Sequence, residues 1–410
     1  MAKELSLYVH IPFCVRKCLY CDFLSFYAEE SLQARYFESL SKEIWLWGQQ
    51  YKDRRVISVF FGGGTPSFPG SKEVCRLLDT IRDNFDVDSG AEISIEVNPA
   101  SAMREKLVDY RRAGFNRISI GAQSLNDAEL RALGRAHDSG MFFHTYDSAR
   151  DVGFDNVNVD IMSALPGQSL KSYLDTVEKV TALKPEHVSA YSLILEEGTP
   201  FYDMELDLPN EDTDRRMYHE TGQMLASSGY HRYEISNYAR EGFECRHNKV
   251  YWRRGDYLGL GIGAASLMDN VRWSNVRDLN TYIDGISKAE ALDSGSFDRT
   301  GIREGIEELT GKSQMEEFMF LGLRLTKGVS RQLFLREFGK DMMQVYGDVI
   351  RKYERMGLLE WASDGDGPES GAKAENGAAE TGTAEDEEYL RLTDRGLDVS
   401  NTVMADFLLD

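Results

Sequence analysis

The run Tyr8-Val9-His10-Ile11-Pro12-Phe13-Cys14-Val15-Arg16-Lys17-Cys18-Leu19-Tyr20-Cys21-Asp22-Phe23 places three of the chain's five cysteines within eight residues. They follow Leu5 to Ile11, an apolar segment that reads as a strand. The residues ahead of it, Met1 to Leu5, include Lys3 and Glu4 and lead straight into that strand, which is unlike a secretory signal. A cytoplasmic location is therefore expected, with reduced thiols. An odd cysteine count in such a compartment argues against a disulfide framework, and clustered thiols there point to metal.

Beyond the thiols, strand-like and helix-like segments alternate over the first 200 residues. Leu5 to Ile11, Val56 to Phe61, Glu92 to Val97, Arg117 to Gly121, Asn156 to Met162 and Val188 to Leu195 are short runs rich in Val, Ile, Phe and Tyr. Ser31 to Gln50, Lys72 to Asn84 and Leu170 to Leu183 carry helical periodicity. Six strands separated by helices predict a parallel sheet with right-handed crossovers, either a barrel or a doubly wound domain. In both, the chemistry sits at the C-terminal ends of the strands. Cys14, Gly62-Gly63-Gly64-Thr65-Pro66, Glu96 and Gln123 all fall at such ends, and Asp160 lies in the fifth strand.

Three spans are expected: 1–205 as the barrel, 206–300 as a mixed extension, and 301–410 as a small helical, winged-helix-like domain. The extension should hold a helix (Asp212 to Ser227), a strand (Tyr230 to Ser236) and the Gly-rich stretch Tyr257 to Gly263. That stretch lacks the preceding strand and the later acid of a nucleotide loop, so tight packing or close approach of a ligand is the better reading. In the last span, 357–361 and 389–392 read as a hairpin whose long tip, 363–388, carries nine acids, one Lys and no aromatic; disorder is expected there. The whole chain carries 68 acids against 47 Lys and Arg, a net charge of −21. That acidity makes nucleic acid a poor partner. No stretch approaches the roughly 18 apolar residues of a membrane helix.

Three thiolates on a short loop can hold three irons of a [4Fe–4S] cube and leave the fourth iron open. An open iron can chelate the amino and carboxylate groups of S-adenosylmethionine, whose sulfonium the cluster's electron then cleaves. The competing reading is zinc on Cys14, Cys18, Cys21 and a fourth ligand such as His10, which would close a tetrahedron. Tyr20, directly before Cys21, either stacks on adenine or packs in a core.

The segment Tyr8 to Phe23 resembles the signature of radical S-adenosylmethionine enzymes, on the oxygen-independent coproporphyrinogen oxidase branch. The resemblance continues through Gly62-Gly63-Gly64-Thr65-Pro66-Ser67, Glu96-Val97-Asn98-Pro99, Arg117 to Ser124, Leu133-Gly134-Arg135 and Leu165-Pro166-Gly167-Gln168. It implies a partial six-stranded (β/α)6, TIM-like barrel. It implies cluster ligation by Cys14, Cys18 and Cys21, with Tyr8 and Tyr20 in the cofactor site. Gly63, Gly64 and Thr65 would meet the methionyl amino group, and Glu96 the nucleoside part or the amino group of the ligand. Gln123, Arg135 and Asp160 match positions that bind a second S-adenosylmethionine in the oxidase.

Two features separate members of that branch. The oxidase has a further Cys two residues beyond the third cluster Cys; here Phe23 stands in its place. Haem chaperones of the HemW type carry His-Asn-x-x-Tyr-Trp, here His247-Asn248-Lys249-Val250-Tyr251-Trp252. The resemblance thus implies a haem chaperone, with coproporphyrinogen oxidation or another porphyrin-directed radical reaction as the alternative; no catalytic residue is assigned. The expected partners are haem, haem-recipient proteins that include respiratory ones, an electron donor for the cluster, and transient contact with a membrane surface. His247, with Cys245 as a weaker candidate, would ligate haem iron from a polar, solvent-reachable loop over Gly242 to Asn248.

Overall fold

The computed structural model describes residues 2–289, 301–363 and 387–409. It resolves into two compact units: Met1–Tyr230 with Ser236–His247 and Asp256–Glu307, and His231–Ile235 with Asn248–Gly255 and Glu308–Asp410. The expected extension is thereby divided, and most of it belongs to the first unit.

Six strands run parallel in spatial order: β1 (Glu4–Ile11), β2 (Arg55–Gly63), β3 (Asp86–Val97), β4 (Arg117–Gln123), β5 (Val157–Ser163) and β6 (His187–Ser192). The helices α1 (Glu30–Tyr51), α2 (Ser71–Asn84), α3 (Arg104–Ala113), α4 (Asp127–Ala132), α5 (Ser139–Asp151) and α6 (Leu170–Leu183) lie between them, followed by α7 (Glu211–Ser227). This is the expected α/β barrel. A seventh strand, Tyr257–Leu260, joins on the far side of β1, also in parallel, with Tyr8 opposite Gly259. Gly259 and Gly261 have no room for a Cβ against Ala265 and Tyr36, so the Gly-rich stretch is a packing device.

Strand alternation separates two environments. Leu5, Leu7, Val9 and Ile11, with Val59, Phe61, Ile93, Ile95, Ile118, Ile120, Val157, Val159 and Val188, are buried in the apolar core. The alternate positions form the barrel interior, which is polar. Ser6 Oγ meets Ser58 Oγ at 2.7 Å, Ser119 Oγ donates to Asp160 Oδ2 at 2.9 Å, and Asn158 Oδ1 meets His187 Nδ1 at 2.6 Å. Each buried polar group there has to find a partner or lose about 1–3 kcal/mol, so the interior is organised by hydrogen bonds.

Three expectations are revised. The strand predicted over Tyr230 to Ser236 is only His231–Arg232, with a separate strand at Asn237–Ala239. The sixth barrel strand stops at Ser192, short of Leu195. His247 is not on a loop: it lies in the helix α8 (Arg246–Trp252).

The second unit is built on the helices Gly311–Gly322, Arg331–Phe338 and Met342–Arg355 around Phe318, Phe334, Tyr346 and Phe407. A three-stranded antiparallel sheet pairs Leu359–Ser363 with Glu388–Leu392, the expected hairpin, in the winged-helix style. Within the tip expected to be disordered, 364–386 lies outside the described residues. Among the described residues no helix is long and apolar enough to cross a membrane.

Candidate functional site

The loop after β1 is pinched at its base. Cys14 N donates to Phe26 O and Phe26 N to Pro12 O, both at 2.9 Å, so residues 14–26 leave and re-enter the fold at one point. The turn after β2 lies directly on it: Gly64 N donates to Ile11 O at 2.9 Å and Thr65 N to Phe13 O at 3.0 Å. Such approach demands glycine. A Cβ on Gly64 would sit 2.8 Å from the Pro12 carbonyl carbon and 3.1 Å from Cys14 Sγ. Gly63, at φ +112°, would press a Cβ onto His10 Cε1 at 2.5 Å. The physical need for these glycines is thus already met by β1 and the cysteine loop.

Cys14 Sγ lies 3.2 Å from Thr65 Oγ1, and Arg135 Nη1 donates to Cys18 Sγ at 3.7 Å. Cys21 N donates to Cys18 O, closing a turn between the last two thiols. Burial pushes the Cys14 and Cys21 thiols up, only partly offset at Cys14 by the Thr65 hydroxyl. Metal binding here would therefore release protons. Among the described residues no three His, Cys, Asp or Glu side chains converge as ligands of one metal ion. His10, the fourth ligand of the zinc reading, is spent: Nδ1 meets Tyr8 Oη at 3.0 Å and Nε2 meets Leu24 O at 2.9 Å. The loop carries three thiols, and His10 is engaged elsewhere, a donor set that suits a cluster with an open corner better than a tetrahedral ion. Beside it is a small open cleft lined by Val15, Arg16, Cys18, Thr65, Phe68 and Asn98 among others.

Around that rim the strand ends bring the carboxylates together. Glu96 Oε2 accepts from Gly63 N at 3.2 Å. Burial, and next the charge of Asp160, push its carboxyl up to about 8. Asp160 is raised by burial too, against hydrogen bonds from Ser119 and Asn158. Gln123 ends β4 at φ +66°, a left-handed backbone rare outside glycine, and marks a site where strain is held by its surroundings. Tyr8 points into the barrel, stacked on Phe60 and bonded to His10. Tyr20 packs with Leu19 against Leu133, Met162, Leu165 and Phe201, which favours the core reading over adenine stacking.

The solvent-reachable placement expected of the haem-ligand candidates needs correction. His247 and Cys245 are each 1% exposed, not solvent-reachable. The imidazole stacks on Phe60 with centroids 5.1 Å apart, and its Nδ1 meets Ser58 Oγ at 2.9 Å. Glu92, overlooked in the sequence, caps α8 by accepting from Arg246 N and His247 N at 3.1 Å each, with Cys245 Sγ 3.6 Å away. Burial, then the Arg117 charge, push the imidazole down to about 3, so it stays neutral. Lys106 was overlooked as well: its ammonium donates to the carbonyls of Ser67, Phe68 and Pro69, pinning the turn that follows β2. A single Lys on an amphipathic helix offers no periodic signal for that role.

Residues 8–180 match the Radical SAM superfamily and residues 309–365 the HemN C-terminal domain. Heme chaperone HemW of Lactococcus lactis is 32% identical over 414 aligned positions, covering 100% of this chain and 99% of that protein. Heme chaperone HemW of Bacillus subtilis is 34% identical, covering 86% of this chain and 92% of that one. Among solved structures, coproporphyrinogen III oxidase (HemN) from Escherichia coli superposes with a TM-score of 0.79 at 23% identity, over 99% of this chain and 90% of that one, which establishes a shared fold. With an end-to-end relative at that identity, and a barrel whose thiol loop sits where the superfamily's match begins, the chain belongs to the HemW family of the radical SAM superfamily.

Proposed function

We propose that this protein is a haem chaperone: it takes haem as cargo, passes it to haem proteins, and carries a [4Fe–4S] cluster on Cys14, Cys18 and Cys21 with S-adenosylmethionine at the open corner. The observation that carries the reading is the end-to-end match to relatives named for haem chaperoning, both units included. The geometry supports the cofactor part. The pinched loop carries the three thiols, Gly64 sets no side chain of its own against Cys14, and Glu96 stands beside the Gly63 turn to receive a cationic group. When bound, such a cluster supplies one electron to the ligand's sulfonium. Arg135, Thr65 and the fold of the loop hold the sulfurs. Phe23, 62% exposed, occupies the position where the oxidase has its additional Cys, which weighs against coproporphyrinogen chemistry.

Two measurements on anaerobically reconstituted protein test this. Iron and sulfide analysis should give four of each per chain, and haem should bind with a new Soret band. Conversion of coproporphyrinogen III to protoporphyrinogen IX would overturn the chaperone reading. An electron donor and a haem recipient belong to the same proposal, as does transient contact with a membrane surface.

A further inference from the structure

Arg135 follows Gly134, whose φ of +71° turns the chain at the end of α4. Its Nη2 donates to Gly121 O near the end of β4 at 2.9 Å, and its Nη1 to Cys18 Sγ at 3.7 Å. Its Nε is buried with no hydrogen-bond partner. The same turn grips the cysteine loop through the main chain: Leu19 N donates to Leu133 O at 3.2 Å, and the Arg16 guanidinium donates to Arg135 O. The end of α4 therefore holds residues 16, 18 and 19 at once. The half-buried guanidinium also bonds the Tyr20 hydroxyl, and a cation with few acceptors around it favours an anion beside it. Another group it touches, the Cys18 sulfur, is neutral as a thiol and negative as a metal ligand.

We propose that Arg135 is a positioning and tuning residue for the metal centre: its bond to the Cys18 sulfur fixes that ligand and favours the reduced state of a cluster bound there. This rests on the cluster reading above. One-electron reduction adds a unit of negative charge that the ligand sulfurs share. A fixed cation and an N–H at one sulfur stabilise that state more than the oxidised one. Groups that bond a first ligand also set its orientation. Arg135 thus serves the cluster even with no S-adenosylmethionine present, which sets this role apart from ligand binding.

The test is a potentiometric titration of the reconstituted full-length protein, followed by electron paramagnetic resonance. Dithionite is the reductant, viologen dyes mediate, and S-adenosylmethionine is left out. Wild type, Arg135→Lys and Arg135→Met are compared at matched iron and sulfide content. The midpoint is expected to move to a more negative potential in Arg135→Met, with Arg135→Lys between. If Arg135→Met cannot retain a cluster, Arg135→Lys decides: its midpoint should still fall below that of wild type. Unchanged midpoints overturn the proposal, as does a shift that appears only on adding S-adenosylmethionine. A wild-type protein lacking four irons and four sulfides would remove the cluster reading itself, a failure the metal analysis separates from the first two.

Discussion

Glu96 offers the most direct quantitative test of the rim. Its carboxyl is held up at about 8 by burial and by Asp160, against a bond from Gly63 N. An acid raised on folding keeps its proton in the native state at pH values where the unfolded chain has lost it. From about pH 5 to pH 8 its contribution to stability therefore declines as pH rises, by up to about 1.4 kcal/mol per unit. A cationic ligand reverses the preference, because it needs the ionised carboxylate. With a pKa of about 8, roughly 1% of Glu96 is ionised at pH 6, about 9% at pH 7 and half at pH 8. Apparent affinity for S-adenosylmethionine should thus gain roughly 50-fold between pH 6 and pH 8 from this group alone, with close to one proton released per ligand at pH 7. Calorimetry of cluster-loaded protein in two buffers of different ionisation heat counts that proton. Glu96→Gln has no proton to release, so subtracting its pH profile cancels the ligand's own titration. Asp160→Asn removes the neighbouring charge and should move the wild-type rise to lower pH. Parallel profiles for wild type and Glu96→Gln would refute the assignment of a cationic ligand to this carboxylate.

Other outcomes follow from the same geometry. Cys14→Ser, Cys18→Ser or Cys21→Ser should each cut retained iron and sulfide severely while leaving circular dichroism unchanged; full metal content in any of them would contradict the loop's role. Gly64→Ala has to push a methyl against the Pro12 main chain and Cys14 Sγ, so a loss of about 1–3 kcal/mol in urea unfolding is expected, together with poor cluster retention. His247→Ala deletes a fully buried ring bonded to Ser58 and should cost about 2–4 kcal/mol in the same assay, with haem affinity unchanged within twofold. A large loss of haem affinity in that variant would mean that α8 leaves the barrel when haem binds.

What the sequence revealed and what it hid have a common physical origin. The parallel strands were legible because both faces of each are buried, so their outer residues are almost uniformly Val, Ile, Leu and Phe. The hairpin of the second unit was legible from Gly357 and the two apolar runs that flank a polar tip. The rim residues were found through strand endings, since a barrel brings those ends together however far apart they lie in sequence. His247 misled because its neighbours in sequence, Glu244, Arg246 and Asn248, are polar, and polar neighbours imply a loop. The polarity has another cause: the α8 terminus needs an acceptor for its free N–H groups, and Glu92, 155 residues upstream on β3, supplies it. Long-range satisfaction of this kind leaves no local trace.

The polar interior did leave one. Ile93-Ser94-Ile95-Glu96-Val97, Arg117-Ile118-Ser119-Ile120-Gly121 and Val157-Asn158-Val159-Asp160-Ile161 alternate strictly, apolar outward and polar inward. In an antiparallel sheet that pattern means one face in water. A parallel barrel has helices outside, so the polar face can only be the inside, and an inside lined with Ser, Asn, Asp, Glu and Arg has to be bonded throughout or occupied by a ligand. Lower down several groups are bonded, Ser6 to Ser58, Asn158 to His187 and Glu92 to the end of α8, while Ser94 Oγ is left without a partner. At the rim the satisfaction runs short. Glu96 keeps a single bond from Gly63 N and Arg135 keeps a buried Nε with none. Groups left underspent at the mouth favour charged, hydrogen-bonding guests there, and the pH profile of Glu96 reads the cationic ligand while the potential of the Arg135 variants reads the cluster.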